Sequence, residues 1–337
     1  VETRIIYHPN PLPPELEEAF LSPEMQRLGN VGMHCGCEYT SFPIFKHLEP
    51  YSRLTHSYGV ASIIYHFTGD LKMTLSGAFH DIATPCFSHV IDFLHHDHIH
   101  QDSTEEGTKE IIGKSLEIQK LLQKCHISTE EVADYHRYPI ADNDTPKLSS
   151  DRLEYTLSNM VNFRFASKEE VQFLYDDIRV GYNEFGEEEL MFGSLETASR
   201  FGMLCLKTSS VYICAEDRFS MECLSELIRF AIKQGYMIER DLYLDEKALL
   251  KKLSIHPEFI SLWQTYCSQD VVDTSSIEKP LYRKIPAKLR YINPFIEGKG
   301  RLSRLDPTFA SSLQAFLSND FSSYLGPSSF FIMNEKS

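Results

Sequence analysis

The stretch Gly77-Ala78-Phe79-His80-Asp81-Ile82-Ala83-Thr84-Pro85-Cys86-Phe87-Ser88-His89 places a histidine and an aspartate side by side at the end of an apolar run. Burying such a pair is costly unless something charged or hydrogen-bonding meets it, and a divalent metal ion answers that need. Neighbours on a helix point about 100° apart, so both side chains reach one ion only near a helix end. Pro85 supplies that end, because it disfavours helix at the residue before it. Thr84-Pro85 then reads as the N-cap and first position of a new helix, with Ser88 and His89 in its first turns. A helix start there favours an anion such as phosphate.

Other parts of the chain supply further ligands. Upstream, Arg53 and His56 stand at i and i+3 in Ser52-Arg53-Leu54-Thr55-His56, hence on one helix face. Downstream, Asp151 and Tyr155 stand at i and i+4 in Asp151-Arg152-Leu153-Glu154-Tyr155. His56, His80, Asp81 and Asp151 make a set of two imidazoles and two carboxylates. That mix suits one divalent ion (Mn, Fe, Zn, Ni or Mg) with open positions for water. An ion so held activates water and polarises a phosphoryl oxygen.

The ordered pattern H…HD…D resembles the HD superfamily of metal-dependent phosphohydrolases, and most of all its deoxynucleoside triphosphate triphosphohydrolase branch. The flanking text carries the likeness too: SPEMQRLGNVG…FP…RLTHSYGV before the first histidine, HDIATPCFSHVID around the second motif, and DRLEY at the last aspartate. The similarity runs over about residues 20–160. It implies an all-helical core with the four ligands at its centre, and substrate contacts from Arg53, His89, Arg152 and Tyr155. It also implies catalytic roles for His89 and Asp151. Three positions depart from the pattern. Thr84 stands where the second motif commonly has a histidine, and Thr104 falls where an H-E-x-G-S text has its catalytic histidine. Met33 or His34 replaces the glutamine that reads the sugar, so His34 joins the substrate-contact set. Without a histidine at 84 or 104 the leaving oxygen lacks a proton donor, a loss of about 10²–10⁴ in rate. His89, Glu105, or one of His95, His96, His98 and His100 is the substitute to look for.

Bulk properties narrow the class. The chain has 337 residues, 42% of them apolar, enough for a substantial core. A formal net charge of −15 argues against a surface that tracks nucleic acid. The eight cysteines form no CxxC pair and several sit in apolar runs, which points to a reducing cytoplasm without disulfides. No apolar run reaches the length of a membrane span, and VETRIIYHPN shows no signal-peptide pattern.

The expected fold is mainly α: an HD-domain helical core, a helical extension, and a small C-terminal appendage with short strands. The boundaries read as an N-terminal segment with the loop into the site (1–50), a metal-binding core (51–165), the extension (166–270) and the appendage (271–337). Helices are expected at about 53–67, 71–81, 85–95, 105–123, 129–137 and 148–163, then through a block over 168–266. KPLYRKIPAKLRYINPFI alternates apolar and polar residues between prolines, which suggests edge strands. The histidine run at 95–100 and Glu187-Glu188-Glu189 read as solvated surface. Cys35 and Cys37 read as loop packing, and His136 as outside any second metal site. The expected activity is hydrolysis of a phosphate ester or anhydride in a nucleotide or a related small molecule. The alternatives are a non-catalytic nucleotide or metal sensor that binds a partner, and a di-iron oxygenase of the same superfamily. The resemblance also implies self-association.

Overall fold

The computed structural model describes residue 3 and residues 5–8, 11–95 and 107–327, and it is mainly α-helical. Three helices carry the central part of the site. Arg53–Thr68 starts at Ser52, whose side chain accepts the Thr55 N–H, and stops at Gly69, left-handed at φ +62°. The turn leads directly into Leu71–Phe79, capped by Asp70, so the second helix runs back along the first. Gly77 permits their close approach, since a Cβ there would lie 2.2 Å from Ile64 Cδ1. The third helix, Ser150–Asn162, is capped by Ser149 and packs against the first. The start of the first, the end of the second and the start of the third therefore meet at one place. That place is where His56, His80-Asp81 and Asp151 fall.

The helix expected over 85–95 is confined to Val90–Leu94. Phe87 and Ser88 take positive φ values of 60° and 50°, and so break any helix through them. The Cys86 N–H bonds to Leu242 O at 2.7 Å, while Arg27 Nη2 holds Ile82 O and Thr84 O at 3.0 and 2.7 Å. Tertiary hydrogen bonds thus hold residues 82–86 in place, the two left-handed residues delay the helix, and His89 sits just ahead of it. Downstream, the expected 105–123 helix is two, Thr108–Lys114 and Leu116–Lys124, broken at Ser115, which caps the second. The 129–137 element is Thr129–Val132 followed by a tight turn at Tyr135–Arg137.

The 168–266 block contains a feature the helical reading omits: a hairpin of β1 (Ile178–Tyr182) and β2 (Glu188–Phe192). Beyond β3 (Val272–Ser275), β4 (Phe295–Ile296) pairs parallel to β2, and β5 (Gly300–Arg301) closes a four-stranded sheet in the order β1-β2-β4-β5. β6 (Tyr324–Pro327) pairs with β3, and Leu325 bridges Arg283. Most of KPLYRKIPAKLRYINPFI is irregular rather than edge strand, and the helices Leu302–Leu305 and Pro307–Leu317 follow it. One apolar cluster includes Ile5, Leu153, Phe201 and Phe316, so the sequence-distant parts share a core. All eight cysteines are free. Among the described residues no helix is long and apolar enough to cross a membrane.

Glu189 corrects the reading of the acidic run as solvated. It is fully buried on β2, and its two carboxylate oxygens accept Arg301 Nη1 and Nη2 at 2.6 and 2.7 Å. Leu148 N and Asn183 Nδ2 also donate to it, at 3.0 and 2.9 Å. Removing one partner of such a pair leaves the other charge buried and uncompensated. Arg301→Ala is therefore expected to lose about 3–5 kcal/mol of stability, read from the shift of the urea midpoint at constant slope.

Candidate functional site

His56 lies in the first turn of its helix, His80 at the end of the next, and Asp151 in the first turn of the third. Their ligand atoms lie within 4.8 Å of one another. His56 Nε2 is 2.9 Å from Asp151 Oδ1 and 3.2 Å from His80 Nε2. Asp81 Oδ2 faces the same point, 3.4 Å from His80 Nε2 and 3.9 Å from His56 Nε2. Both imidazoles are oriented from behind, which leaves each Nε2 aimed inward. His80 Nδ1 meets Gly77 O at 2.7 Å, and His56 Nδ1 meets Glu154 Oε2 at 2.5 Å. A donor set of inward imidazoles and carboxylates, each imidazole held by a hydrogen bond at its other nitrogen, fits a divalent cation.

Glu154 is fully buried and serves four partners. Besides His56, it accepts the hydroxyls of Tyr51, of Tyr7 at 3.2 Å and of Ser158 at 2.7 Å. Gly59 makes room for it, since a Cβ there would stand 2.6 Å from Glu154 Cγ. Burial alone would lower the His56 imidazole, but hydrogen bonds and charge from Asp151 and Glu154 carry it up to about 10. Burial alone would raise the Asp81 carboxyl, but Arg53 and the two imidazoles hold it well below the carboxylate range.

Arg53 fixes Asp81 through Nη1 bonds of 3.0 and 3.2 Å, while its Nε donates to Ser88 Oγ at 3.1 Å. Thr84, standing at the expected histidine position, donates its hydroxyl to Asp81 Oδ1 at 2.7 Å. What replaces the imidazole is therefore a second brace for a carboxylate. The cluster opens onto a cavity of about 880 Å³, also lined by Arg53, His89, Arg152, Tyr155 and His34. The expected ligands and substrate-contact residues, His34, Arg53, His56, His80, Asp81, His89, Asp151, Arg152 and Tyr155, thus share one cavity, but not all in the expected role. Arg152 is engaged by the rim loop, donating to Asn143 Oδ1 at 2.9 Å, Lys147 O at 2.5 Å and Asp142 Oδ1 at 3.2 Å. His34 Nε2 meets Asn159 Oδ1 at 3.0 Å, and Asn159 Nδ2 donates to Tyr212 at 2.8 Å. His95 is outside the cavity, paired with Glu239 at 2.9 Å. Thr104, Glu105, His96, His98 and His100 lie outside the described residues. His136 lines the cavity and pairs with Asp142 at 3.0 Å.

Sequence reasoning missed Glu154 behind His56 and three wall residues, Asp217 and, from the C-terminal part, Lys288 and Arg290. Glu154 carried a signal, since it stands inside the DRLEY motif itself. Asp217 accepts the Cys37 thiol at 3.8 Å. Burial pushes its carboxyl up to about 7, against the pull of Arg290. The folded protein thus holds this proton more tightly than the unfolded chain, with its ordinary value of 3.8. The associated stability is complete below that value and lost as pH rises through about 7. Asp217→Asn should flatten this decline by on the order of 4 kcal/mol, measured by urea unfolding from pH 4 to 8.

The chain is 27% identical over 296 residues to the uncharacterized protein YdhJ of Bacillus subtilis (strain 168), covering 87% of each. It is 28% identical over 167 residues to the metal-dependent phosphohydrolase cns2 of Cordyceps militaris, covering 49% of this chain and 46% of that protein. Among solved structures it resembles a phosphohydrolase from Bacteroides thetaiotaomicron, with a TM-score of 0.60 and 14% identity over 96% of this chain and 97% of the other. It also resembles a hypothetical protein from Aquifex aeolicus, with a TM-score of 0.56 and 17% identity over 89% and 90%. At such identities these two structures speak for the fold alone, which is the mainly α architecture described above. No protein-family model matches the chain.

Proposed function

We propose that this chain is a metal-dependent phosphohydrolase acting on a nucleotide or a related phosphate ester. The observation that carries the proposal is the cluster of His56, His80 and Asp151 at the wall of a large cavity, with Asp81 Oδ2 beside the two imidazoles. The cns2 relative, named a metal-dependent phosphohydrolase, supports it. A divalent ion on these ligands supplies Lewis-acid activation of water and of a phosphoryl oxygen. Arg53 keeps Asp81 ionised and in place, and Glu154 aims His56. His89, with Nδ1 held by the buried carboxylate of Asp92 at 2.9 Å, presents Nε2 to the cavity and is the nearest replacement for the missing proton donor. Away from the ligands, Tyr155, Tyr212, Phe163 and the His34–Asn159 pair line the same cavity. Flat rings beside amide and imidazole hydrogen-bonding groups suit a nucleoside.

Within this class the sequence resemblance favours triphosphate release from a deoxynucleotide, with monophosphate or cyclic-ester hydrolysis as the other outcomes. The test is hydrolysis of a nucleotide panel with Mn, Fe, Zn, Ni or Mg added singly, with products identified as phosphate, pyrophosphate or triphosphate. A second reading, a nucleotide or metal sensor, is favoured by Thr84, which bonds to Asp81 where an imidazole was expected. Tight nucleotide binding with no turnover under every metal would select that reading.

A further inference from the structure

We propose that Arg290, assisted by Lys288, binds the substrate's phosphate from a C-terminal strap, residues 286–291, far in sequence from the metal-ligand helices. The proposal rests on the phosphohydrolase reading and adds residues to it.

The strap is anchored at both ends. Ile285 and Ile292 are each 1% exposed. The Ile285 carbonyl accepts Arg218 Nη1 at 2.5 Å, and Asn293 N donates to Pro146 O at 2.9 Å. Asn293 is held again through its side chain, which accepts Ser303 N at 3.0 Å and donates to Ser303 Oγ at 2.8 Å. Between these anchors Ala287, Lys288, Arg290 and Tyr291 all line the cavity. A polar, irregular segment pinned on both sides is placed there by the fold rather than left to drift over the surface.

Arg290 reaches the site through His89. Its Nη2 is 3.5 Å from His89 Nε2, and Asp92 holds the other ring nitrogen. The residue before His89, Ser88, accepts Arg53 Nε at 3.1 Å, and Arg53 in turn grips Asp81. A line of groups therefore runs from Arg290 through His89 and Arg53 to the candidate ligands, and an anion lying along it would meet donors on each. A planar guanidinium can present two N–H groups to two phosphate oxygens at once. Burial with the nearby Arg290 and Arg53 charges depresses the His89 imidazole, which leaves its Nε2 as the acceptor of the Arg290 contact.

The competing account gives Arg290 a purely structural role as a counter-charge to Asp217. Titration of inorganic phosphate into the manganese-supplemented protein separates the two. Arg290→Ala is expected to weaken phosphate binding about 10–100-fold, the range for hydrogen bonds to charged groups. Arg290→Lys should lose less, and Lys288→Ala a few-fold, with manganese binding unchanged in all three. If Arg290→Ala does not fold, Arg290→Gln keeps the length without the charge and is read in the same way. Phosphate affinity within twofold of the parent in a folded, manganese-binding Arg290 variant overturns the proposal and leaves the phosphohydrolase reading standing. A parent that binds manganese but no phosphate also overturns it. A parent that binds neither removes both.

Discussion

Asp151→Ala should keep its fold, bind manganese far more weakly and lose phosphohydrolase activity by about 10³-fold or more. The expectation follows from position: Asp151 Oδ1 is 2.9 Å from His56 Nε2 and 3.8 Å from His80 Nε2, so it forms one side of the ligand triangle. A bound cation contributes several kcal/mol of charge stabilisation to phosphoryl chemistry, and each 1.36 kcal/mol is tenfold in rate. The side chain stands near the start of its helix and is not a cap, because Ser149 performs that task, so the helix should survive. Metal content and turnover are to be measured together. An Asp151→Ala protein that keeps both at parental levels would remove the proposed centre, whereas one that keeps metal and loses rate would move Asp151 from ligand to catalytic partner.

Glu154→Ala should produce the largest combined loss of stability and metal affinity in the molecule. The carboxylate is fully buried and is the common acceptor for Tyr7, Tyr51, Ser158 and His56. Its removal takes a buried charged acceptor from the Tyr51, Tyr7 and Ser158 hydroxyls and from His56 Nδ1, although Tyr7 and Ser158 keep their mutual bond at 3.2 Å. The cost is about 3–5 kcal/mol. Partners behind a metal-binding histidine typically change metal affinity by about 10–100-fold. Glu154→Gln fills the same space and tests the charge alone: it should recover most of the stability but not the affinity. Urea unfolding and metal titration of both variants read the two effects separately. A Glu154→Ala protein within about 1 kcal/mol of the parent would mean that the site tolerates water behind His56.

The centre of the candidate site was legible because its residues sit in short motifs with a family resemblance, and each motif reads as a helix start or end. His56, His80 and Asp151 need only three capped helices to converge, and Ser52, Asp70 and Ser149 mark those caps in the sequence. The unread parts depend on partners far away. Glu189 looks solvated beside Glu187 and Glu188 until Arg301, 112 residues later, is seen against it. The β1–β2 hairpin hid between strong helical periods, although Asn183 and the left-handed Gly186 mark its turn. The alternation of residues 286–291 pointed to an edge strand, but the segment is irregular and Ala287, Lys288, Arg290 and Tyr291 all line the cavity. The run at 85–89 failed for another reason, because Phe87 and Ser88 adopt positive φ values that no helix can pass through.

The anchoring of the strap also orders events during synthesis. A ribosome adding about 5–20 residues per second releases Asp151 roughly 7–30 s before Arg290. During that interval the nascent chain holds every candidate metal ligand but neither strap cation, and Glu189 lacks Arg301. Such long-range closure is slow compared with helix formation. The candidate cage for a cation is thus encoded early, and the strap proposed to face the anion arrives only after a further stretch of about 140 residues has emerged.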